Sequence, residues 1–577
     1  MHQARPETAV ETSETSSDFS RRDFIKGGVA ATLVGGVGLG AVYFGYEGSL
    51  DRPVRVGVIG TGDEGNVLIG AINPEFVQVV AIADIRPYNI YRAFHGDASS
   101  ENALKVRPGL MQKYGWATET EARKNVQVYD DRYQDLLADD NVEAVIVALP
   151  LHLHAEASIE AMRAGKHVLC EKLMAHSVHE CKEMARVALT EKKLLSIGHQ
   201  RHYSVLYDQA RRAIQRGVLG DIHHIRAQWH RGNLPGKDSW QPPLPDEKMS
   251  KQLEAYIADA DKQLASLHQD VANDKWNPAL NTKLQALDKK RWLTHARLLD
   301  RDVKAENYGY QAPPAPGADG KPRTALEELI RWRLWDRTGG GLMVELGSHQ
   351  LDAASIFVNA SIGEQGNDKE GRGKVHPLTV YGVGGRHVFP HDRDAADHVY
   401  CGYEFPGVGY ESDPNKKIVV TYSSINGNGF GGYGETVMGT KGTLVVDRER
   451  DLQILTNSSA TTVQAAKSDG GPTLDTTESG APVAIQKQAS GPVSRGYTEQ
   501  IEHWAWCIRN PAPNHVPRCG PEVALADAVI ALVSNQAIKE GRQITFDDRW
   551  FDIGDDLTPE GTAPSVKSPV APKSSHA

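Results

Sequence analysis

The stretch from Val54 to Asp84 limits the possible folds more than any other part of the chain. A β-branched run, Val-Arg-Val-Gly-Val-Ile, leads into Gly60-Thr-Gly62-Asp-Glu64-Gly65, an apolar-periodic segment, and a second run ending Ala-Ile-Ala-Asp84. Strand, glycine turn, helix and second strand in this order are the context in which G-x-G-x-x-G acts as a dinucleotide fingerprint. Gly60 permits the tight turn, Gly62 lets a pyrophosphate approach the backbone, and Gly65 lets the helix pack closely on the strand. The free N–H groups of the first helical turn, at Glu64 and its neighbours, then face the phosphates. Asp84 closes the second strand, where a carboxylate can accept hydrogen bonds from an adenosine ribose. Arg86, two residues on, would either face a 2′-phosphate or stack on adenine. NAD is therefore favoured, with NADP left open.

At 577 residues the chain has room for two or three domains. Its 64 basic and 74 acidic side chains give a net charge of -10, so no basic face advertises nucleic acid. Five scattered cysteines without a C-x-x-C pair argue against a metal or disulfide scaffold. His387, His391, Asp394 and His398 also lack metal-site spacing, and no metal is expected.

Near the N-terminus, Ser20-Arg21-Arg22-Asp23-Phe24-Ile25-Lys26 precedes a moderately apolar run to about Tyr46. Residues 1–50 read as a twin-arginine export signal, which carries proteins already folded. No A-x-A site follows, so the segment is expected to act as a periplasm-facing membrane tether or to leave a periplasmic protein.

Beyond Asp84, strands at 126–129 and 142–149 flank a helix from Arg132 to Ala138. This alternation predicts a doubly wound parallel sheet over residues 54–200, with ligands at the carboxyl ends of its strands. One such end carries Pro150 and His154, and the next carries Ala164-Gly-Lys-His-Val-Leu-Cys-Glu171-Lys172. With Gly198-His199-Gln200-Arg201, these stretches resemble the Gfo/Idh/MocA oxidoreductases in order and spacing. The resemblance covers roughly residues 54–233 and 325–545. It implies that Glu171 and Lys172 lie at the cofactor, Lys172 beside nicotinamide and the substrate hydroxyl, and that Arg201 and Tyr203 lie at the substrate. Leu173 stands where the family has proline.

Residues 201–545 are then expected to form an α+β substrate domain with an open antiparallel sheet, through which the chain would form a homo-oligomer. A polar block at 234–324 interrupts it. Leu253, Ile257, Ala260, Leu264 and Leu267, then Leu280, Leu284 and Leu287, recur at helical spacing, which predicts a helical hairpin. Packing or dimerisation is favoured for it over a lid. A Ser/Thr/Gly-rich loop at 456–494 and a Pro/Ser-rich tail at 558–577 read as disordered.

The run Gly339-Gly340-Gly341-Leu-Met-Val-Glu345-Leu-Gly-Ser-His349-Gln-Leu-Asp352 opens a helix. At roughly 100° per residue, Glu345, His349 and Asp352 share one face, an arrangement suited to acid–base chemistry. The run also resembles the family's substrate helix, with glutamate in place of aspartate at Glu345. The leading expectation is an NAD(P)-dependent oxidoreductase acting on a secondary hydroxyl of a sugar or cyclitol, with Lys172 and His349 as proton acceptors and the cofactor tightly bound. An NAD-dependent glycoside-cleaving enzyme using transient oxidation, and a non-catalytic sugar-binding homologue, are the alternatives.

Overall fold

The computed structural model describes residues 44, 46, 50–236, 244–317, 320–362, 375–456 and 495–573. The paired arginines of the expected export signal and nearly all of the expected 456–494 loop lie outside these residues.

The first sheet follows from its sequence runs. β1 (Val54–Ile59) and β2 (Val77–Ala83) are apolar along nearly their whole length and are covered on both faces. With β3 (Gln127–Tyr129), β4 (Ala144–Val147), β5 (His167–Cys170) and β6 (Leu195–Ile197) they form a parallel sheet of order β3-β2-β1-β4-β5-β6. Strand order reverses between β1 and β4, so the crevice at their carboxyl ends is the site of ligand binding in sheets of this kind. Helix Asp63–Ala71 covers one face together with the returning helix Tyr497–Arg509, whose Trp504 is fully buried among β1 residues. Helices His154–Arg163, Val178–Thr190 and Pro521–Glu540 cover the other. Ser177 caps the second of these in a reciprocal capping box with Glu180.

The second sheet has eight strands. β7 (Ile222–His230), β8 (Thr379–Gly385), β9 (His398–Pro406), β10 (Lys417–Ile425), β11 (Tyr433–Gly439), β12 (Gly442–Asp447), β13 (Asp451–Thr456) and β14 (Ile544–Thr545) lie in the order β13-β12-β11-β7-β10-β9-β8-β14. The sheet is mixed, because β7 and β10 pair in parallel. Helix Ser348–Ile362 fills its inner face, with eleven of its fifteen residues buried. On the outer face Tyr381, Val383, Tyr400 and Val419 are exposed.

The insertion forms two helices, Glu247–Asn273 and Pro278–Leu299. Asp246 caps the first, and Asn277 followed by Pro278 opens the second. Ala260, Leu264 and Leu267 are buried, but on the second helix the buried positions are Leu293, Ala296 and Leu298 rather than the expected Leu280, Leu284 and Leu287. That helix packs its C-terminal half against helix Pro87–His95 of the first domain, which moves the seam toward its C-terminus.

The tail, read as disordered from sequence, follows a defined path through residue 573. The buried Lys182 ammonium donates to the carbonyls of Arg549, Asp555 and Leu557 at 2.7–2.9 Å. The Arg186 guanidinium donates to Ile553, Asp555 and Val566. Of these carbonyls only that of Val566 lies in the 558–577 tail, which is further held by Glu560, accepting from the Val178 N–H, and by Ser565, whose N–H donates to Glu183, contacts that composition does not report.

Candidate active site

The glycine turn has the geometry its spacing requires. Gly60 has φ 87°, and a Cβ there would lie 2.6 Å from the Ala148 carbonyl oxygen. A Cβ on Gly65 would lie 2.1 Å from Gly60 O, so the turn and the helix touch. At Gly62 the nearest atom to that position is Asn89 Nδ2 at 3.8 Å, leaving the backbone open to the cleft. Burial would raise the Asp63 pKa, but the neighbouring Arg92 and Arg107 guanidiniums outweigh it and hold the carboxyl well below the usual range. Asp84 accepts from the Thr61 N–H at 2.7 Å, from the Arg86 N–H at 2.9 Å and from Asn89 Nδ2, which ties the end of β2 to the turn. Burial pushes its pKa up.

These residues open onto one cleft of about 1090 Å³. Its walls include Gly60, Gly62, Glu64, Asp84, Arg86, Pro150, His154, Glu171, Lys172, Glu345 and His349 among the sequence-predicted residues. Open backbone at Gly62, a carboxylate at the end of β2 and a cleft of this volume fit a dinucleotide. Arg86 lines the cleft, but its guanidinium grips Asp300 of the insertion at 2.8 and 3.0 Å, which engages its Nε and Nη2. Asp300 also accepts from the Tyr88 N–H. Tyr308 and Tyr310, just beyond Asp300, line the same end of the cleft.

His154 bridges the ends of β4 and β5, with its ring nitrogens 2.8 Å from the Leu149 and Leu173 carbonyls. The Lys172–Leu173 peptide is cis. The ammonium of Lys172 donates to the Glu345 carbonyl at 2.5 Å. Burial draws the Lys172 pKa down, against the pull of Glu345, Glu171 and Glu64. Burial, reinforced by Glu64, pushes the Glu171 carboxyl up to about 8.

The helix carrying Glu345, His349 and Asp352 departs from the expected single face. Met343–Gly347 is a π turn, and the regular α-helix starts only at Ser348. The wider turn breaks the 100° step between Glu345 and the residues that follow. Glu345 and His349 reach the cleft, whereas Asp352 is fully buried behind it. Asp352 Oδ1 lies 2.7 Å from His202 Nε2, and its other oxygen lies 3.8 Å from His199 Nδ1. Arg201 and Tyr203, expected at the substrate, are likewise absent from the cleft wall. Arg201 is locked on Glu449 at 2.7 Å, and the Tyr203 hydroxyl accepts from the Arg518 N–H. The short turn Gln200–Tyr203 points inward, so these polar groups found internal partners. His349 is buried beside Trp229, ring centres 5.5 Å apart. Burial, with Lys172, Arg201 and His199 nearby, holds its pKa well below the ordinary value.

The sequence reading missed the far wall. Trp229 and Arg231 at the end of β7, Arg333 and Arg448 all line the cleft. Glu345 Oε1 lies 3.3 Å from both Arg231 Nη1 and Arg333 Nε. An aromatic residue and an arginine at a strand's carboxyl end were the available signal for the first pair. Nothing local marks the other two.

Residues 54–199 match the profile of the Gfo/Idh/MocA oxidoreductase family, NAD-binding Rossmann fold. An uncharacterised oxidoreductase of Schizosaccharomyces pombe is 33% identical over 147 residues, which is 24% of this chain and 40% of that protein. Inositol 2-dehydrogenase 1 of Saccharopolyspora erythraea is 31% identical over 173 residues, 29% of this chain and 43% of that protein. The chain thus spans less than half the length of these two curated relatives. The solved aldose-aldose oxidoreductase of Caulobacter crescentus superposes with a TM-score of 0.49 at 16% identity, covering 86% of this chain and 100% of that one.

Proposed function

We propose that this chain, whose residues 54–199 form the NAD-binding Rossmann domain of the Gfo/Idh/MocA oxidoreductases, transfers hydride to or from a secondary carbinol of a sugar, sugar derivative or cyclitol. The observation that carries the reading is the meeting of Lys172, Glu345 and His349 in the cleft that Gly60, Gly62 and Asp84 open onto. Bound NAD supplies the hydride acceptor. Oxidising a carbinol also requires a base for the hydroxyl proton. Lys172, drawn toward its neutral form by burial, can take that proton. The Glu345 carbonyl aims its ammonium across the cleft. His349, kept neutral, offers a second acceptor or a hydrogen bond to the substrate hydroxyl.

The Arg86–Asp300 pair and the Tyr308 and Tyr310 side chains close the Asp84 end of the cleft. This supports a tightly held cofactor. Export through Arg21-Arg22, to the periplasm or to a membrane tether facing it, would fit such retention, since a folded protein would carry its dinucleotide along. A retained cofactor must be restored in place, either by a second sugar or by the same substrate after oxidation, elimination and return of the hydride. Homo-oligomerisation through the outer face of the second sheet is part of this reading, supported by the directly paired, exposed Val383 and Tyr400.

The test supplies sugars and glycosides to cofactor-loaded protein while following product and reduced nicotinamide together. Many turnovers without accumulating NADH and without an added acceptor are expected. Stoichiometric reduction of added NAD at dehydrogenase rates would remove the retained-cofactor reading and leave a simple dehydrogenase.

A further inference from the structure

At the Asp84 end of the cleft one arginine stands between two carboxyl groups that come from different parts of the chain. Asp84 closes β2, and its Oδ1 accepts from the Arg86 N–H at 2.9 Å, which fixes the Arg86 backbone beside it. The Arg86 guanidinium is held by Asp300, whose Oδ2 accepts from Nη2 at 2.8 Å and from Nε at 3.0 Å. Asp300 Oδ1 accepts from the Tyr88 N–H at 3.0 Å, so both of its oxygens are tied to the segment that follows β2. Arg86 is 7% and Asp300 1% exposed, and solvent screens a pair buried in this way very little.

This is the place where a doubly wound sheet tells two dinucleotides apart. An acid at the end of the second strand takes the ribose 2′-hydroxyl of NAD, and an arginine nearby accommodates the 2′-phosphate of NADP. Arg86 has the position for the second role and lines the cleft. A guanidinium grips a phosphate through paired N–H donors. Asp300 engages the Nε–Nη2 pair of Arg86 and answers its charge. A 2′-phosphate brought there would therefore meet two acidic side chains and an arginine already committed.

The other charged groups nearby do not replace Arg86. Arg92 and Arg107, also on the cleft wall, are answered by Asp63 and Asp97 at 2.7–3.3 Å. Arg132 is exposed, where a charge pair contributes little, and is followed in the wall by no deeper cation than Arg86 itself among the described residues of that edge. Its neighbour Asp131 accepts from the Tyr308 hydroxyl at 2.7 Å. Arg297, whose charge acts on both Asp300 and Arg86, is absent from the cleft wall.

We infer that Asp300, a residue of the helical insertion and not of the nucleotide-binding domain, restricts the cleft to NAD by withholding Arg86 from the 2′-phosphate of NADP. This rests on the dinucleotide reading of the cleft and is independent of the hydride-transfer chemistry.

The test challenges the full chain with NAD and with NADP and reads the ratio of their dissociation constants, by calorimetry or by displacement of any dinucleotide that co-purifies. The two ligands differ only at the 2′-phosphate, so a variant that merely folds less well changes both constants and leaves their ratio. The parent should prefer NAD by about 100-fold or more. Asp300→Asn, which keeps the shape and an acceptor oxygen for the Tyr88 N–H, should shift the ratio about 10- to 100-fold toward NADP. Adding Arg86→Gln to Asp300→Asn should remove that shift. Arg86→Gln alone serves if Asp300→Asn does not fold, and it should cost NADP no affinity relative to NAD, because Arg86 does not serve the phosphate in the parent. The inference is overturned by a parent that binds NADP as well as NAD or by an unchanged ratio in Asp300→Asn. A shift that survives the added Arg86→Gln, or a selective loss of NADP in Arg86→Gln alone, overturns it equally. A chain that binds neither dinucleotide takes the oxidoreductase reading down with the inference. One that shows the Asp300-dependent ratio but reduces NAD with no sugar or cyclitol keeps the inference and loses that reading.

Discussion

Lys172 and His349 test the chemistry at the scale of single residues. Lys172→Met and His349→Ala should each lower turnover by about 10²- to 10⁴-fold, the usual worth of a positioned acid–base group, with dinucleotide still bound. A base must be unprotonated to act, and burial places the Lys172 pKa below the ordinary 10.5. The rate should therefore climb as pH rises through that lowered value and then level, and Lys172→Met should erase this limb from a kcat/KM profile. The last two glycines of the turn separate folding from binding. Gly65→Ala drives a methyl into Gly60 O, so the first domain should fail to melt cooperatively. Gly62→Ala meets only Asn89 at 3.8 Å, so the variant should melt with the parent yet bind dinucleotide more weakly by calorimetry. Equal affinity would show that no phosphate approaches Gly62.

At the scale of elements, the insertion decides how the first domain holds its ligand. From sequence alone, two amphipathic helices bounded by prolines read as a packing or dimer element. In the fold, Asp300 at the end of the second helix reaches Arg86 beside the Asp84 end of the cleft. Breaking a buried pair of this kind costs about 3–5 kcal/mol, because one charge is left without its partner. Asp300→Ala should lower the Tm and, if the insertion retains the cofactor, speed dinucleotide release in a stopped-flow chase. A lower Tm with unchanged release would make the insertion structural only. The π turn at Met343–Gly347 is the other element whose geometry governs the site. It separates Glu345 from the regular helix, so Glu345 shares a wall with Arg231 while Asp352 serves the buried histidines.

The whole molecule is closed by its last described residues. A stop after Asp547 removes the three carbonyl partners of Lys182 and the three of Arg186. Hydrogen bonds to a charged donor contribute about 1.5–3 kcal/mol each, so the truncated chain should melt well below the parent. A truncation that melts like the parent would show that residues 548–577 add nothing to stability, the status that composition suggested for 558–577 alone.

The sequence by itself determined the first domain. The strands β1, β2 and β4 are largely apolar runs and the glycine turn is local, so Gly60, Gly62, Gly65 and Asp84 were legible from spacing alone. Lys172 and His349 were legible because motifs of a few residues carry them. Tertiary structure decided everything that depends on where distant segments meet. Arg86 is held by a residue 214 positions away, and Arg201 by one 248 positions away. Arg333 and Arg448 come to the cleft from separate elements, and no periodicity within either segment reports that they share a wall. Helical spacing gives the angle between neighbours on one helix, but not whether a face meets solvent, a cleft or another buried charge. For this reason Asp352 was placed on the correct helix and assigned to the wrong surroundings.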